Sequence, residues 1–283
     1  MHITTIAHHS ALGSWTHCEC VPGVLGGAVE KLWHFEGRMS LLRERSFPRV
    51  YSEIILQLGP RFRDVSAAGI SGDYFPQACF AGATTAPSVI EAPDAVCCVI
   101  GIQLHASAAF RLLGFSPRLT HNTTISLDDA LGPGSCDLAE RCYEASTVNA
   151  RFEIIVRFLR DRLAQTDVAH RAIEWAACQL RQTSGQTKIA TLQENSELSK
   201  SRFVALFRDQ TGFAPKQYAR ILRFRNSLQL LQLGHKLSDA ALSAGYYDQA
   251  HFHNEFSEFA KITPASFVSA LRFPNSMSLP ENS

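Results

Sequence analysis

The stretch AGYYDQAHFHNEFSEFAKITP, residues 244–264, carries the signals of one short and well-delimited helix. Gly245 is typical of a tight turn, and the Asp248 side chain is of a type that accepts hydrogen bonds from the free N–H groups at a helix start. Aromatic residues then recur at helical spacing: Phe252, Phe256 and Phe259. The sequence therefore predicts a capped helix that buries one aromatic stripe.

The same pattern occurs a second time, 49 positions earlier, with Ser199 in the place of Asp248. Counted from each cap, the matched residues at +4, +8, +13 and +16 are Phe203 and Phe252, Phe207 and Phe256, Gly212 and Lys261, and Pro215 and Pro264. In both copies a capped helix buries two aromatics and a tight C-cap follows. Proline then starts the next helix, where its missing N–H costs nothing. The chain thus contains an internal repeat.

Each copy is preceded by a short predicted helix, over 187–195 and over 238–245, the second capped by Ser238. A helix, a tight turn and a second amphipathic helix make a helix-turn-helix. The segment 215–234, ended by Gly234, is long enough for a helix that joins the two units. It carries three basic residues: Arg220, Arg223 and Arg225. A plain helical bundle is the alternative interpretation, because phenylalanines at i and i+4 occur in any bundle.

Residues from about 168 to 270 resemble the tandem helix-turn-helix domain of the AraC/XylS family of bacterial transcription regulators. LSKSRFVALFRDQTGFAPKQY (198–218) carries the likeness in the first unit, and LSDAALSAGYYDQAHFHNEFSEFAKITPASF (237–267) carries it in the second. The resemblance implies a sequence-specific DNA-binding regulator in which the second helix of each unit enters a major groove. A linking helix can hold these two reading helices about one DNA turn, roughly 34 Å, apart.

The phenylalanine stripes leave a solvent-facing side on each reading helix, called here the first and the second reader. On the first reader these positions are Lys200, Ser201, Arg202 and Ala205; on the second they are Gln249, Ala250, His251, His253 and Asn254. Arg202 suits guanine or phosphate, while Gln249 and Asn254 can pair with adenine. Helix starts bind phosphate through backbone N–H groups. This adds four residues to the predicted DNA contacts: Ser199, Lys216, Gln217 and Thr263.

The second reader departs from the resembled family in its charge. It lacks lysine and arginine and has three nearby acids: Asp248, Glu255 and Glu258. Asn254 stands where the family usually has a basic residue, and Ser257 stands where lysine is common. Weaker and less salt-dependent DNA binding is therefore expected from this unit. Lys261 replaces the usual glycine at a left-handed cap, at a cost of about 1 kcal/mol.

Upstream, residues 33 to about 125 contain short β-branched apolar runs bounded by glycine and proline. Such runs predict the strands of an antiparallel sandwich or barrel. One short helix is predicted at 106–114 with Gly114 as its C-cap, and amphipathic helices follow from 137 onward. Through GIQLHASAAFRLLGF (101–115), this half more weakly resembles an uncharacterised domain found fused to such DNA-binding halves.

The predicted fold class is therefore α+β, with a β-rich sandwich or barrel-like domain followed by an all-α tandem helix-turn-helix domain. The predicted divisions are a flexible N-terminus at 1–30, a sensing or dimerisation domain at 31–165, the DNA-binding domain at 166–272 and a flexible tail at 273–283. The boundary follows the change from short strand-like runs to long helical periods.

Composition fits a globular protein, since 46% of the residues are hydrophobic and 19% are charged. Residues 188–272 hold 11 Lys/Arg and 7 Asp/Glu, a net +4, whereas residues 1–187 hold 16 and 18, a net −2. The basic C-terminal part suits a nucleic-acid partner. Irregularly spaced cysteines and the lack of a signal-like start favour the cytoplasm over a secreted disulfide scaffold. No run reaches the roughly 18 apolar residues of a membrane span.

No catalytic or metal-binding constellation is recognisable. His105 and Ser107 lie close in sequence without a G-x-S-x-G elbow, and nucleotide-binding motifs are absent. The terminus holds five candidate ligands without a second properly spaced pair: His8, His9, His17, Cys18 and Cys20. Cys97 and Cys98 lie in an apolar strand and are interpreted as buried structural thiols rather than a redox pair. No enzyme activity, metal or cofactor is therefore predicted.

The leading hypothesis is a transcription regulator whose N-terminal domain senses a small-molecule effector or forms a homodimer. Its expected partners are double-stranded DNA, RNA polymerase and that unidentified effector. Two alternatives stay open. In one, the second helix-turn-helix contacts RNA polymerase or another protein instead of bases. In the other, a sandwich-fold enzyme is fused to a DNA-targeting tail.

Overall fold

A computed structural model of the chain describes residues 2–10, 13–40, 43–66, 68–166, 169–271 and 278–280. Almost all strands of these ranges precede residue 127, and nearly everything from there to residue 270 is helical. This order confirms the predicted α+β class. None of the helices within the described ranges combines the length and the apolar character that a membrane span needs.

The larger of two sheets has seven strands, all paired antiparallel. In chain order they are β1 (Thr4–Ser10), β2 (Gly13–Cys20), β3 (Val29–Met39), β5 (Ser52–Gln57), β8 (Ala78–Ala81), β10 (Cys97–Leu104) and β11 (Thr124–Ser126). Across the sheet the order is β1-β2-β3-β10-β5-β8-β11. The apolar runs predicted as strands supply β5, β8 and β10, in which nearly all residues are buried.

The smaller sheet has five antiparallel strands. They are β4 (Arg43–Ser46), β6 (Arg63–Val65), β7 (Ser71–Tyr74), β9 (Ser88–Glu91) and β12 (Ser278–Pro280), in the spatial order β12-β4-β9-β6-β7. Glu91 lies at its centre, where the Arg43 Nε donates to Glu91 Oε2 at 2.7 Å and Arg63 pairs with the other oxygen. Although burial raises the pKa of Glu91, hydrogen bonds from Arg43, Arg63 and Ser71 lower it to about 2.

The N-terminal segment differs from the predicted flexible end, because residues 4–20 supply β1 and β2 at the edge of the larger sheet. Cys18 and Cys20 are buried and lie opposite His34 and Leu32 of β3. Cys18 and Cys20 are the buried residues of β2, and the rest of the segment is polar and more exposed, so its sequence gives no clear strand signal. In the tail, 278–280 pair with β4, while 273–277 and 281–283 lie outside the described residues.

Four helices cover one face of the larger sheet: α1 (Ala106–Leu113), α2 (Leu127–Leu131), α3 (Asp137–Glu144) and α4 (Val148–Leu163). Gly114 is the left-handed C-cap of α1, at φ +73°, as predicted. Leu32 and Ile100 of the sheet share one hydrophobic core with Phe152 and Leu159 of α4.

Seven further helices build the second core: α5 (Arg171–Gln182), α6 (Ile189–Asn195), α7 (Lys200–Thr211), α8 (Pro215–Gln232), α9 (Leu237–Ser243), α10 (Gln249–Ala260) and α11 (Pro264–Ala270). With 18 residues, α8 is about 27 Å long. Its buried side includes Tyr218, Phe224 and Leu231, so that one helix supports both halves of this core. The predicted boundary at 165/166 falls between α4 and α5.

Three half-buried or buried histidines predict an acid-sensitive fold. Burial, together with a neighbouring arginine, lowers the pKa of His34, His105 and His121 to about 4, from an ordinary value of 6.5. On unfolding, each takes up a proton between these two pH values, and the free energy of unfolding therefore falls as the pH drops from about 6.5 toward 4.

We expect the urea midpoint to be lower at pH 5 than at pH 7, a window that leaves Glu91 ionised. A His121→Gln variant should show a smaller pH-dependent loss, whereas the exposed His235→Gln variant should match the parent protein. An identical midpoint at both pH values would contradict this assignment.

Candidate nucleic-acid interface

The first helix-turn-helix unit comprises α6 and α7. The Ser199 Oγ accepts a hydrogen bond from the Arg202 backbone N at 3.4 Å and caps α7. Phe203 and Phe207 are fully buried, with ring centroids 5.8 Å apart. Gly212 ends the helix in the left-handed conformation at φ +83°. These contacts fix the face of α7 that turns inward.

The second unit, α9 and α10, repeats this arrangement in register. The Asp248 Oδ1 accepts from the His251 backbone N at 2.7 Å, and the Phe252 and Phe256 rings lie 5.5 Å apart in the core. Lys261 occupies the left-handed cap at φ +57°. The predicted repeat is therefore confirmed, including the cap at which lysine replaces glycine.

One predicted cap is wrong. The helix α9 starts at Leu237 with Lys236 as its N-cap, and the Ser238 Oγ instead donates to the Asp239 carboxylate at 3.1 Å. Leu237 packs against the C-terminal core, and the N-cap lies two residues before the predicted one.

The solvent-facing sides of both readers are largely as predicted. The exposed residues are Lys200, Ser201, Arg202 and Ala205 on α7, and Gln249, Ala250, His251 and Asn254 on α10. His253 is the exception, because it is half-buried with its ring edge-on to Phe252 at 5.9 Å. Both readers thus present polar hydrogen-bonding groups to solvent.

Helix starts add further groups to this surface. Lys216 and Gln217 are exposed in the first turn of α8, whose N-cap, Ala214, offers no side-chain acceptor. The backbone N–H groups of this turn remain suitable for an anion. Ser199 and Thr263 are exposed caps whose hydroxyl oxygens already accept a backbone hydrogen bond.

Sequence reasoning missed Arg208. It lines an open groove on α7 together with four other residues: Lys200, Ser201, Val204 and Ala205. The signal was present, because Arg208 follows Ser201 by seven positions and therefore lies on the same helix face. The basic residues Lys200, Arg202, Arg208 and Lys216 are exposed, and none forms an ion pair within the described part of the chain.

The three arginines that the sequence places on the joining helix, α8, are engaged inside the protein and do not extend this basic surface. The Arg220 Nε donates to Glu255 at 2.8 Å and its Nη2 donates to Glu258 at 2.6 Å. The Arg223 Nη2 lies 3.5 Å from the other oxygen of Glu255, a side chain that is only 5% exposed. The acids that follow Asp248 on α10 therefore neutralise α8 instead of repelling a ligand at the second reader.

Arg225 is also engaged inside the protein. Its Nη2 donates to the Tyr51 hydroxyl at 3.2 Å, and its Nη1 donates to the Pro48 carbonyl at 3.3 Å. Its guanidinium lies 5.0 Å from the centre of the Tyr51 ring. This contact joins α8 to the N-terminal half.

The other candidate chemistry of the N-terminal half is dispersed or internally satisfied. His105 precedes α1, and no hydrogen bond joins it to Ser107 among the described atoms. Cys98 and His34 lie near Glu36, but the Arg151 Nη1 is 2.9 Å from His34 Nε2 and 3.6 Å from the Cys98 sulfur. The guanidinium thus occupies the space in which a cation would be bound.

The terminal histidines and cysteines are dispersed: His8 and His9 lie on β1, and His17 lies on the face of β2 opposite Cys18 and Cys20. Cys18 and Cys20 point toward the core, whereas His17 stacks toward Trp33 at 6.4 Å. All eight cysteines are free thiols. Burial raises the pKa of the Cys97 and Cys98 thiols, which suits structural rather than nucleophilic roles.

Comparison with known proteins identifies the helical part of the chain. A family model described as a helix-turn-helix domain matches residues 194–270. An uncharacterized HTH-type transcriptional regulator from Haemophilus influenzae is 26% identical over 89 residues, which is 31% of this chain and 30% of that protein. The chain thus matches less than a third of this relative's length.

Solved structures of ToxT from Vibrio cholerae are among those that are similar to this chain. One, at 1.65 Å resolution, has a TM-score of 0.49 and 12% identity, covering 86% of this chain and 99% of ToxT. Another, ToxT with a bound unsaturated fatty acid, has a TM-score of 0.46 and 11% identity, covering 82% and 92%.

The sequence repeat, its two capped and exposed reading helices and the matching family model agree with one another. Residues 194–270 of this chain match the helix-turn-helix domain family, in agreement with the AraC-type tandem unit that the sequence resemblance predicted.

Proposed function

We propose that the whole chain is a cytoplasmic transcription regulator that reads two successive major grooves of one operator. The supporting observation is the register of the two units, whose capped helices bury equivalent phenylalanines and expose polar residues. Both units share α8, and a shared helix holds two readers on one side of a duplex. The N-terminal half is the regulatory domain in this proposal.

In this proposal the two readers have different roles in DNA binding. The first reader, with Lys200, Arg202 and Arg208 exposed, supplies phosphate contacts and most of the affinity. The second reader presents Gln249 and Asn254, which recognise bases without adding charge. The second reader therefore contributes little to the salt dependence of DNA binding.

Selection of duplexes from a random DNA pool by the full chain tests this function. We expect an enriched motif with two conserved blocks about one helical turn apart. Gln249→Ala should relax the base preference within one block and cost about 1–3 kcal/mol of discrimination. Lys200→Ala should weaken binding to all duplexes alike. It should also reduce the slope of log affinity against log salt concentration by about one. A pool without any enriched motif would rule out sequence-specific binding.

The ion pairs of Glu255 with Arg220 and Arg223 predict two effects of one substitution, one on stability and one on DNA binding. Glu255→Gln leaves Arg223 without a charged partner, and breaking such a buried pair should lower the free energy of unfolding by about 3 kcal/mol. The freed positive charge should at the same time steepen the salt dependence of DNA binding. Urea unfolding and binding titrations at several salt concentrations measure both quantities.

Glu258→Gln is the matched control, because Glu258 pairs with the same Arg220 but is exposed. Its effect on stability should stay below about 1 kcal/mol. Equal losses in the two variants would show that burial of Glu255 is not what makes the network important.

Two exposed apolar side chains favour a second candidate role for the second unit, namely contact with RNA polymerase. Leu242 at the end of α9 is 78% exposed, and Tyr247 in the turn before α10 is 93% exposed. Large exposed apolar side chains close together are typical of protein contact sites. This role does not use Gln249, which is exposed on α10 itself.

For the effector, we propose an apolar or aromatic compound that packs on the larger sheet. The face opposite the helices carries an aromatic surface formed by Trp15, Trp33 and Phe35, flanked by His8 and His17. A Cβ at Gly101 would lie 2.0 Å from the Trp33 ring, so the indole rests directly on the strand backbone. These half-buried rings offer stacking area for a planar or aliphatic body.

Anilinonaphthalene sulfonate is a suitable probe, because two of the three tryptophans lie in the aromatic surface. We expect saturable energy transfer from tryptophan to the bound dye and an affinity at least about threefold lower in Trp15→Ala. Trp175→Phe, on α5, is the control and should bind normally. Equal dye affinity in both variants would remove this surface as the effector site.

A further inference from the structure

A side chain of the N-terminal half lies inside the C-terminal core. Phe47, in the segment between β4 and β5, is 1% exposed and belongs to the core formed by α5 to α11. Its ring centroid is 6.2 Å from that of Phe224 on α8 and 5.7 Å from that of Phe267 on α11, both edge-to-face. Phe267 in turn lies 5.7 Å from Phe256 of the second reader. Phe47 is thus one ring removed from the reading helix.

The residues that follow Phe47 secure this insertion. Pro48 and Tyr51 receive the two hydrogen bonds from Arg225, and Val50 is buried in the same core. Arg49 is bridged to Thr84 through a pair of backbone hydrogen bonds of 3.0 Å, which ties the segment to its own domain. The segment is therefore attached to the loop after β8 through Arg49, and to α8 through Phe47, Pro48 and Tyr51.

A separate contact holds the first unit. The His121 ring, after a short 3-10 turn at Pro117–Thr120, lies 4.3 Å from the Phe213 ring at an angle of 30°. At Gly212 a Cβ would be 2.6 Å from His121 Nε2 and 3.1 Å from the Arg118 backbone N. The left-handed cap of the first reader therefore packs so closely on the N-terminal domain that no other side chain fits there.

From these two contacts we infer that the N-terminal domain sets the spacing between the two readers, with Phe47 and His121 as the positioning residues. Phe47 holds the second unit through Phe224 and Phe267, and His121 holds the first unit through Gly212 and Phe213. Because α8 is a single helix about 27 Å long, small bends or rotations along it would otherwise change how the readers meet successive grooves. The inference rests on the proposed DNA-binding function.

The test uses the duplex selected by the full chain and derivatives with one to five base pairs inserted between its two blocks. Each inserted base pair moves the second block by about 3.4 Å and about 35° around the duplex. The parent chain should bind the selected spacing at least about fivefold more tightly than the shifted ones. Phe47→Ala and His121→Ala should each flatten this preference while retaining binding to the best duplex within about threefold.

Two further variants keep the result interpretable. Phe47→Leu preserves an apolar side chain and keeps the test available if Phe47→Ala does not fold. Ile155→Val removes one methyl group from the other core, away from both contacts, and should keep the spacing preference of the parent chain.

The possible failures point to different causes. If the parent chain enriches no duplex, the proposed function itself is wrong. If the parent chain enriches a duplex but shows no spacing preference, or if Phe47→Leu and His121→Ala keep that preference, the positioning role is overturned. A uniform loss of affinity at all spacings would equally overturn it, because that result reflects stability alone.

Discussion

The packing around Phe224 is the contact on which the arrangement of both halves depends. Its ring lies 5.3 Å from those of Phe256 and Phe259 in the second reader and 6.2 Å from that of Phe47 in the N-terminal half. The helix that carries it also contributes Tyr218, which packs 5.5 Å from Phe207 of the first reader. Truncation of a buried phenylalanine typically lowers the free energy of unfolding by about 3–5 kcal/mol. Phe224 joins α8 to α10 and to the segment that carries Phe47.

This packing also determines the ion pairs between α8 and α10. With α8 pressed against α10, Arg220 and Arg223 lie above Glu255 and are unavailable to solvent ligands. A buried carboxylate without these partners would be costly, which couples the acids of α10 to the arginines of α8. What remains for DNA is the basic surface of the first reader and the uncharged side chains of the second. The second reader has no lysine or arginine of its own, and this packing keeps the arginines of α8 from supplying positive charge there.

Much of this architecture could be predicted from the sequence, because its signals are local. Caps at Ser199 and Asp248, phenylalanines at i and i+4, and prolines at helix starts are short-range features, and each appears in the structure. The left-handed conformation at Lys261 followed from comparing the two copies. Exposure of Arg202 and Gln249 followed from the buried stripe. Their contacts with DNA stay predictions.

The remaining features depend on contacts between distant residues. Arg220 is paired with Glu255, which lies 35 positions later in the chain, and Arg225 contacts Tyr51, which lies 174 positions earlier. Neither contact can be predicted from neighbouring residues. The burial of Phe47 has no local signal, because the polar and charged residues before it, RERS (43–46), form no apolar period with it. The strands β1 and β2 were missed because histidine, threonine and serine replace the apolar residues that normally reveal a two-residue alternation.

Hydroxyl-radical footprinting of the full chain on its selected duplex tests the central claim, that both readers engage one DNA molecule, most directly. Two protected patches about one helical turn apart on the same face are predicted, with Gln249→Ala weakening only one of them. Protection confined to one patch, unchanged by Gln249→Ala, would show that the second unit does not read DNA.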